Sequence, residues 1–226
     1  MPRDLRAARV LDVFIEQCLS LDERDARQLL KRFGWQPQAS LRLGVRSVPS
    51  DVAALVVCSE LRRIVGDSDE WPSGFYVDPA SNLLRFDLPK TYGLILPVWR
   101  RWPVGLMYYR HVGDARPRWI TSASRETGTA AVASIHAQAM KQEPGEVERV
   151  LMLSHTLEAM AVAIRHKVST VGFNGASVSA TPVQLFESFP KLKGVVMAMS
   201  DAPPRLEREL RDAGLNVTSW MGGELL

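Results

Sequence analysis

Two cysteines in 226 residues are too few for a disulfide framework or a four-ligand zinc site. Cys18 and Cys58 lie in apolar helical contexts and read as buried thiols, which fits a reducing cytoplasm. Histidine is also sparse, four in all, and His111, His136 and His166 show no spacing typical of a metal site. No apolar run approaches the roughly 20 residues that a membrane span needs. The opening MPRDLRAARVLDVFIEQ carries acids inside its apolar stretch and no small-residue cleavage site, so it reads as a helix rather than a signal peptide. Internal repeats and low-complexity tracts are also missing.

What is there is ordinary globular material, 46% hydrophobic and 23% charged, enough for one large domain or two small ones. The net charge of +3 is mild but uneven. Between Arg85 and Glu126, eight basic residues (Arg85, Lys90, Arg100, Arg101, Arg110, Arg116, Arg118, Arg125) face three acidic ones (Asp87, Asp114, Glu126). Charge of one sign, concentrated in this way, implies a polyanionic partner.

Three rhythms follow one another. The first part reads as helices, with Val10, Val13, Phe14 and Cys18 on one helical face. Ser20 and Glu23 have the spacing of a capping box, and the helix they open runs through ARQLLKRF to Gly34. A second capped helix runs from Ser50-Asp51 to Gly66, and turn formers and aromatics follow, DSDEWPSGFYVDPASN. From about Leu83 the segments LLRFDL, GLILPVW, VGLMYYRHV and PRWITS read as a meander of antiparallel strands. A helix is expected at about 129–141. From Val147 apolar strands alternate with helices: VERVLMLS, TLEAMAVAIRHK, VSTVGF, TPVQLFESF, GVVMAMS, PPRLERELRDAG and LNVTSW. Such alternation predicts a small parallel sheet covered on both faces. The fold class is therefore α/β, α+β overall: a helical region over 1–82, an antiparallel β-rich segment over 83–145, and a parallel-sheet βαβ domain over 146–226.

The stretch GLILPVWRRWPVGLMYYRHVGDARPRWITSASRETG resembles the basic subdomain of bacterial-type DNA primases. In that family a hydrophobic–Phe–Pro strand leads into a Gly-containing strand and then a basic-aromatic segment ending in Asn-Ser. Leu96-Pro97, Gly105 and Arg118-Trp119-Ile120-Thr121-Ser122 stand in those places. The remainder resembles a Toprim domain, the βαβ module shared by those primases, topoisomerases and some nucleases, so the likeness covers roughly 85–226. ARQLLKRFGW and SGFY are similar to lead-in segments of phage and plasmid primase-like proteins. No zinc-ribbon cysteine pattern and no helicase P-loop is present, so those parts of a primase-helicase would come from partners.

The resemblance also says what to check. A Toprim site holds Mg²⁺ through a Glu at the end of its first strand, just before a Gly, and an Asp-x-Asp at the end of its third. Here the first position falls on Ser154, with His155 in place of the Gly, and Glu158 stands four residues on. The third strand ends Met199-Ser200-Asp201-Ala202, which leaves one aspartate, Asp201. The reading implied is a degenerate Toprim domain without metal-dependent catalysis and without a cofactor.

Local alternatives stand beside it. Ser154-His155 reads as a nucleophile–base pair, as a phosphate-binding turn at a helix N-terminus, or as a plain cap. Asp201, just before Ala-Pro-Pro, suits a helix N-cap. GFNGAS at 172–177 lacks the G-x-G-x-x-G order of a nucleotide loop. In the basic segment, Arg100, Arg101, Arg110, Arg116 and Arg118 interleave with Trp99, Trp102, Tyr108, Tyr109 and Trp119. Arginines bind phosphates and aromatics stack on unpaired bases, so single-stranded DNA is the expected partner; a solvated strand face with core aromatics would give the same pattern. The sequence-level conclusion is a cytoplasmic, primase-like nucleic-acid binder in replication or maintenance of a plasmid, phage or chromosome. Two other classes remain: a Mg²⁺-dependent Toprim enzyme with a rearranged acid set including Glu158 and Asp201, and a docking module for a helicase or polymerase.

Overall fold

Residues 3–67, 71–72, 74–87, 93–99, 103–110, 118–119 and 144–220 are described by the computed structural model. The expected helix at 129–141 lies outside them. The chain divides into two compact units, Met1–Val98 with Trp102–Glu126, and Trp99–Arg101 with Thr127–Leu226.

The first unit begins with helix α1 (Arg3–Val13), which continues as a π-helical turn over Phe14–Cys18. Val10, Leu11, Phe14 and Ile15 are all buried there. Helix α2 (Glu23–Phe33) ends on Gly34 in the left-handed conformation, φ +72°, as its sequence requires. Its start differs from expectation, because Asp22 rather than Ser20 is the N-cap residue and makes no side-chain cap bond. The reason is tertiary. Ser47, from strand β1 (Arg46–Ser47), accepts from the Asp22 amide at 2.9 Å and donates to Asp25 at 2.6 Å. Its own amide donates to the Ser20 carbonyl at 2.8 Å. Helix α3 (Pro37–Arg42) is short and starts on a proline. Helix α4 (Asp51–Val65) follows its sequence signals, with the Ser50 hydroxyl accepting from the Ala53 amide and Gly66 closing it.

Strands β2 (Phe75–Val77) and β3 (Leu84–Phe86) pair antiparallel as a separate two-stranded sheet. The first of these falls in the stretch read above as turns. Their rings close on the first helix: Phe75 stacks on Phe86 with centroids 4.4 Å apart, and Phe14 meets each edge-on at 4.9 Å. Ring pairs of this kind add about 0.5–1.5 kcal/mol each beyond their area burial. A four-stranded sheet in the order β1-β4-β5-β6 is completed by β4 (Gly93–Trp99), β5 (Pro103–Arg110) and β6 (Arg118–Trp119), with β1 antiparallel to β4 and β6 antiparallel to β5. Ile95 and Leu106 from this sheet share one core with Val10, Phe14, Leu61 and Phe75, so residues from 1–82 and from 83–145 bury one another.

The second unit is a parallel sheet. After a 3₁₀ turn (Pro144–Glu146) come β7 (Arg149–Leu153), helix α5 (Thr156–His166), β8 (Thr170–Gly172), helix α6 (Thr181–Ser188), β9 (Gly194–Met197), helix α7 (Pro204–Asp212) and β10 (Asn216–Ser219). Every neighbouring pair is parallel, in the order β10-β9-β7-β8. Val150 to Leu153 are all buried, as expected of a strand covered on both faces. Met152, Val195 and Val217 pack with Phe189, Leu206 and Leu210. Thr181 is the first residue of α6, and its hydroxyl donates to the Ser177 carbonyl.

Candidate functional site

The strand order of the second unit creates a switch point. The chain leaves β7, returns beside it as β8, then crosses over so that β9 pairs with the other side of β7. Open parallel sheets bind ligands at the carboxyl ends of the strands flanking such a reversal. Ser154 follows β7 there, and Asp201 follows β9 after a short turn. The two meet: the Ser154 hydroxyl donates to Asp201 Oδ1 at 2.5 Å. The sequence could not place this bond, since its ends are 47 residues apart.

That hydrogen bond decides several local readings. Ser154 gives its hydrogen to a carboxylate, not to His155, so the nucleophile–base arrangement is not formed. Asp201 is not a helix cap either, since Pro203 holds the N-cap position of α7. Glu158 lies exposed on the first turn of α5, where the positive end of the helix dipole favours it. Among the described residues, the side chains that meet beyond β7 and β9 are therefore one hydroxyl and one carboxylate already bonded to each other. This does not fit Mg²⁺, which prefers several hard anionic oxygens held near octahedral geometry. Among the described residues, no group of three or more His, Cys, Asp and Glu side chains could hold a metal ion.

The start of α5 is organised by residues that sequence reasoning left aside. Asn174, beyond β8, takes a left-handed φ of +51°. Its Oδ1 accepts from the Thr156 amide at 2.9 Å, and its Nδ2 donates to Thr156 Oγ1 at 2.7 Å. His155, at the N-cap position, makes no side-chain cap bond. A side chain from the neighbouring strand end thus occupies an amide that the phosphate-turn reading would have offered to a ligand. Gly172 makes this approach possible: a Cβ there would lie 2.7 Å from the Thr156 nitrogen. The two glycines and the asparagine of GFNGAS were the available signal, and they serve close packing and a tight turn.

In the first unit the basic segment is partly in view. Arg110 ends β5, and Arg118 and Trp119 form β6. Arg100, Arg101 and Arg116 lie outside the described residues, as do Trp102, His111 and His136. Tyr108 and Tyr109 are buried, 6% and 1% exposed, so neither offers a ring face for a base to stack on. Both neighbours are buried because β5 is covered on its two faces from Gly105 to Tyr109. A buried polar cluster holds the nearby strand β1: Arg46 Nε donates to the Ile15 carbonyl at 2.8 Å and Nη1 to the Leu41 carbonyl at 3.0 Å, with Glu16 at 3.3 Å from Nη2.

No protein-family model matches the sequence, and no curated protein matches it. Solved structures do. The zinc-binding and RNA polymerase domains of Aquifex aeolicus primase align with 97% of this chain at a TM-score of 0.66 and 16% identity. The chain has the fold of a bacterial DNA primase core. A DNA primase domain from Pseudomonas aeruginosa aligns with 96% of the chain, at a TM-score of 0.57 and 13% identity, and with 70% of its own length. The RNA polymerase domain of Mycobacterium tuberculosis primase DnaG, in complex with a double-stranded DNA oligomer with a 6-nucleotide overhang, aligns with 86% at 0.58 and 16% identity. The primase fold accounts for both halves of the architecture, the mixed unit and the parallel sheet. The chain spans 55% of the Aquifex aeolicus structure and 63% of the Mycobacterium tuberculosis one.

Proposed function

We propose that this chain is a primase-like nucleic-acid-binding protein, acting in DNA replication or in maintenance of a plasmid, phage or chromosome, whose Toprim-like domain does not catalyse metal-dependent chemistry. The observation that carries the non-catalytic part is the Ser154–Asp201 hydrogen bond at the switch point. It joins the position of the family's glutamate to the one remaining aspartate, and among the described residues it leaves no paired carboxylates there to bridge a cation. The binding part is supported by the eight-to-three excess of basic over acidic residues between Arg85 and Glu126. It is supported also by the DNA complexes of the Mycobacterium tuberculosis primase domain that shares the fold. Arg100, Arg101, Arg110, Arg116 and Arg118 would contact phosphates, with Trp119 stacking on a base. Single-stranded DNA is the favoured ligand and the cytoplasm the favoured setting. A helicase or polymerase is the proposed protein partner. Among the described residues, no helix is long and apolar enough to cross a membrane.

The test is a fluorescence-anisotropy titration with labelled single-stranded DNA, with and without Mg²⁺. The expected result is binding that weakens steeply with salt, weakens in an Arg116→Ala/Arg118→Ala variant, and is indifferent to Mg²⁺ beyond its ionic strength. Absence of binding at low salt would point to a docking module instead. Mg²⁺-dependent primer synthesis or strand cleavage that disappears in Asp201→Ala would establish an active enzyme and overturn the non-catalytic reading.

A further inference from the structure

The end of strand β5 has a neighbour that sequence distance hides. From Arg24 to Arg42 the chain carries five basic residues, Arg24, Arg27, Lys31, Arg32 and Arg42, and a single acid, Asp25. All five cations are exposed, whereas Asp25 is 1% exposed. Its carboxylate is held inward by the Ser47 hydroxyl, so α2 turns one sign of charge to solvent along most of its length. The acids Asp22 and Glu23 sit at its first turn, where the helix dipole favours them, and Glu23 pairs with Arg27 at 2.8 Å. Lys31, Arg32 and Arg42 have no carboxylate partner among the described residues.

Arg24, Arg27, Gln28 and Lys31 follow the spacing of one helical face and extend for about 10 Å. The end of α2 reaches the sheet. The Arg32 guanidinium lies over the Tyr109 ring at 5.7 Å from its centroid, and over Phe33 at 5.4 Å. Tyr109 precedes Arg110, the last residue of β5 and a member of the basic segment. The exposed cations of α2 thus continue from the end of that strand. A solvated helix with no partner typically mixes charges of both signs along its face; here no acid lies beyond the first turn, and Asp25 within it is buried, bonded to Ser47 and 3.4 Å from Arg24 Nε.

We infer that the exposed face of α2, extended by Arg42, is a second phosphate-binding surface that carries single-stranded nucleic acid beyond the basic segment. This rests on the nucleic-acid-binding reading above and adds the surface on which the strand runs. The interactions are with backbone phosphates, so they contribute affinity and salt dependence and no sequence preference.

The experiment compares the full chain with Arg27→Gln/Lys31→Gln/Arg42→Gln in anisotropy titrations of a labelled single-stranded DNA across a salt series. Surface changes of this kind scarcely move stability, which a thermal melt verifies. Removing one cation–phosphate interaction lowers the slope of log affinity against log salt by about 0.7, so the slope is expected to fall by roughly 2. A second variant, Glu23→Gln, frees Arg27 from its ion pair and is expected to bind more tightly than wild type, a gain that misfolding cannot produce. If wild type binds and the triple variant shows the same slope, α2 does not touch the strand and the binding reading stands without it. If wild type does not bind at low salt, both fall.

Discussion

Ser154 and Asp201 are joined by a hydrogen bond across the gap between β7 and β9, each just beyond the carboxyl end of its strand. A hydroxyl and a carboxylate can share one hydrogen without help. Two carboxylates at the same place repel unless a cation or a proton lies between them. With a serine opposite Asp201, the pair is held without an ion.

Ser154→Glu is therefore expected to lower the melting temperature in EDTA, through repulsion of Asp201. Millimolar Mg²⁺ should restore it, since an ion that binds only the folded state stabilises that state by mass action. Wild-type melting should not respond to the ion. Differential scanning calorimetry with and without Mg²⁺ reads both, and a wild-type rise as large as the variant's would contradict the exchange of ion for hydrogen bond. Ser154→Ala, at a half-exposed position, should cost no more than about 1 kcal/mol.

Gly172→Ala should destabilise by about 1–3 kcal/mol, the usual cost of forcing extra volume into a packed site. The added carbon would meet the Thr156 nitrogen at 2.7 Å and its Cα at 2.8 Å, backbone atoms that cannot swing aside. Urea denaturation measures the change, and an unaltered midpoint would show that α5 shifts freely.

Two substitutions at Asn174 separate its two roles. Asn174→Gly keeps the left-handed backbone and loses the cap on Thr156, for about 1 kcal/mol. Asn174→Ala loses the cap and also strains a residue at φ +51°, for roughly 1 kcal/mol more. The ordering wild type, Gly, Ala in urea midpoint is the expected outcome; Ala equal to Gly would show that the backbone is not strained there.

Burial pushes the Cys58 thiol up to about 11, with its neighbour Cys18 adding to the effect. Burial pushes Cys18 itself up to about 11, helped by Glu60. Below the ordinary thiol range near 8.5 both folded and unfolded chains keep these protons, and the thiols add no pH dependence. Between that range and about 11 the unfolded chain releases protons that the folded chain retains, so stability falls as pH rises. Lysines and tyrosines titrate in the same window, so the measurement is the difference between wild type and Cys58→Ala. The variant should lose less stability between pH 8 and pH 11; parallel curves would mean that Cys58 titrates like a free thiol.

Where a signal is local, the sequence carried it. Ser50 and Gly66 bound α4, Gly34 ends α2, and the apolar strands after Val147 form the parallel sheet read from them. What escaped depends on distant partners. Ser20 and Glu23 have the spacing of a capping box, yet Ser47 reorganises that turn from 25 residues away. Phe75–Val77 reads as a turn until Leu84–Phe86 and Phe14 surround it. Tyr108 and Tyr109 alternate with nothing, because both faces of β5 are covered and a period of two leaves no trace. The resemblance led to the expectation of a glutamate where Ser154 stands, but the hydrogen bond from Ser154 to Asp201 joins residues 47 positions apart and left no local signal.

The Asn174 cap bears also on how the second unit is made. An isolated helix of 11 residues, the length of α5, is marginal in water. Its first amide waits for a side chain 18 positions downstream. On a ribosome the segment 156–166 emerges before Asn174 does, so this cap cannot form until the turn after β8 has been synthesised.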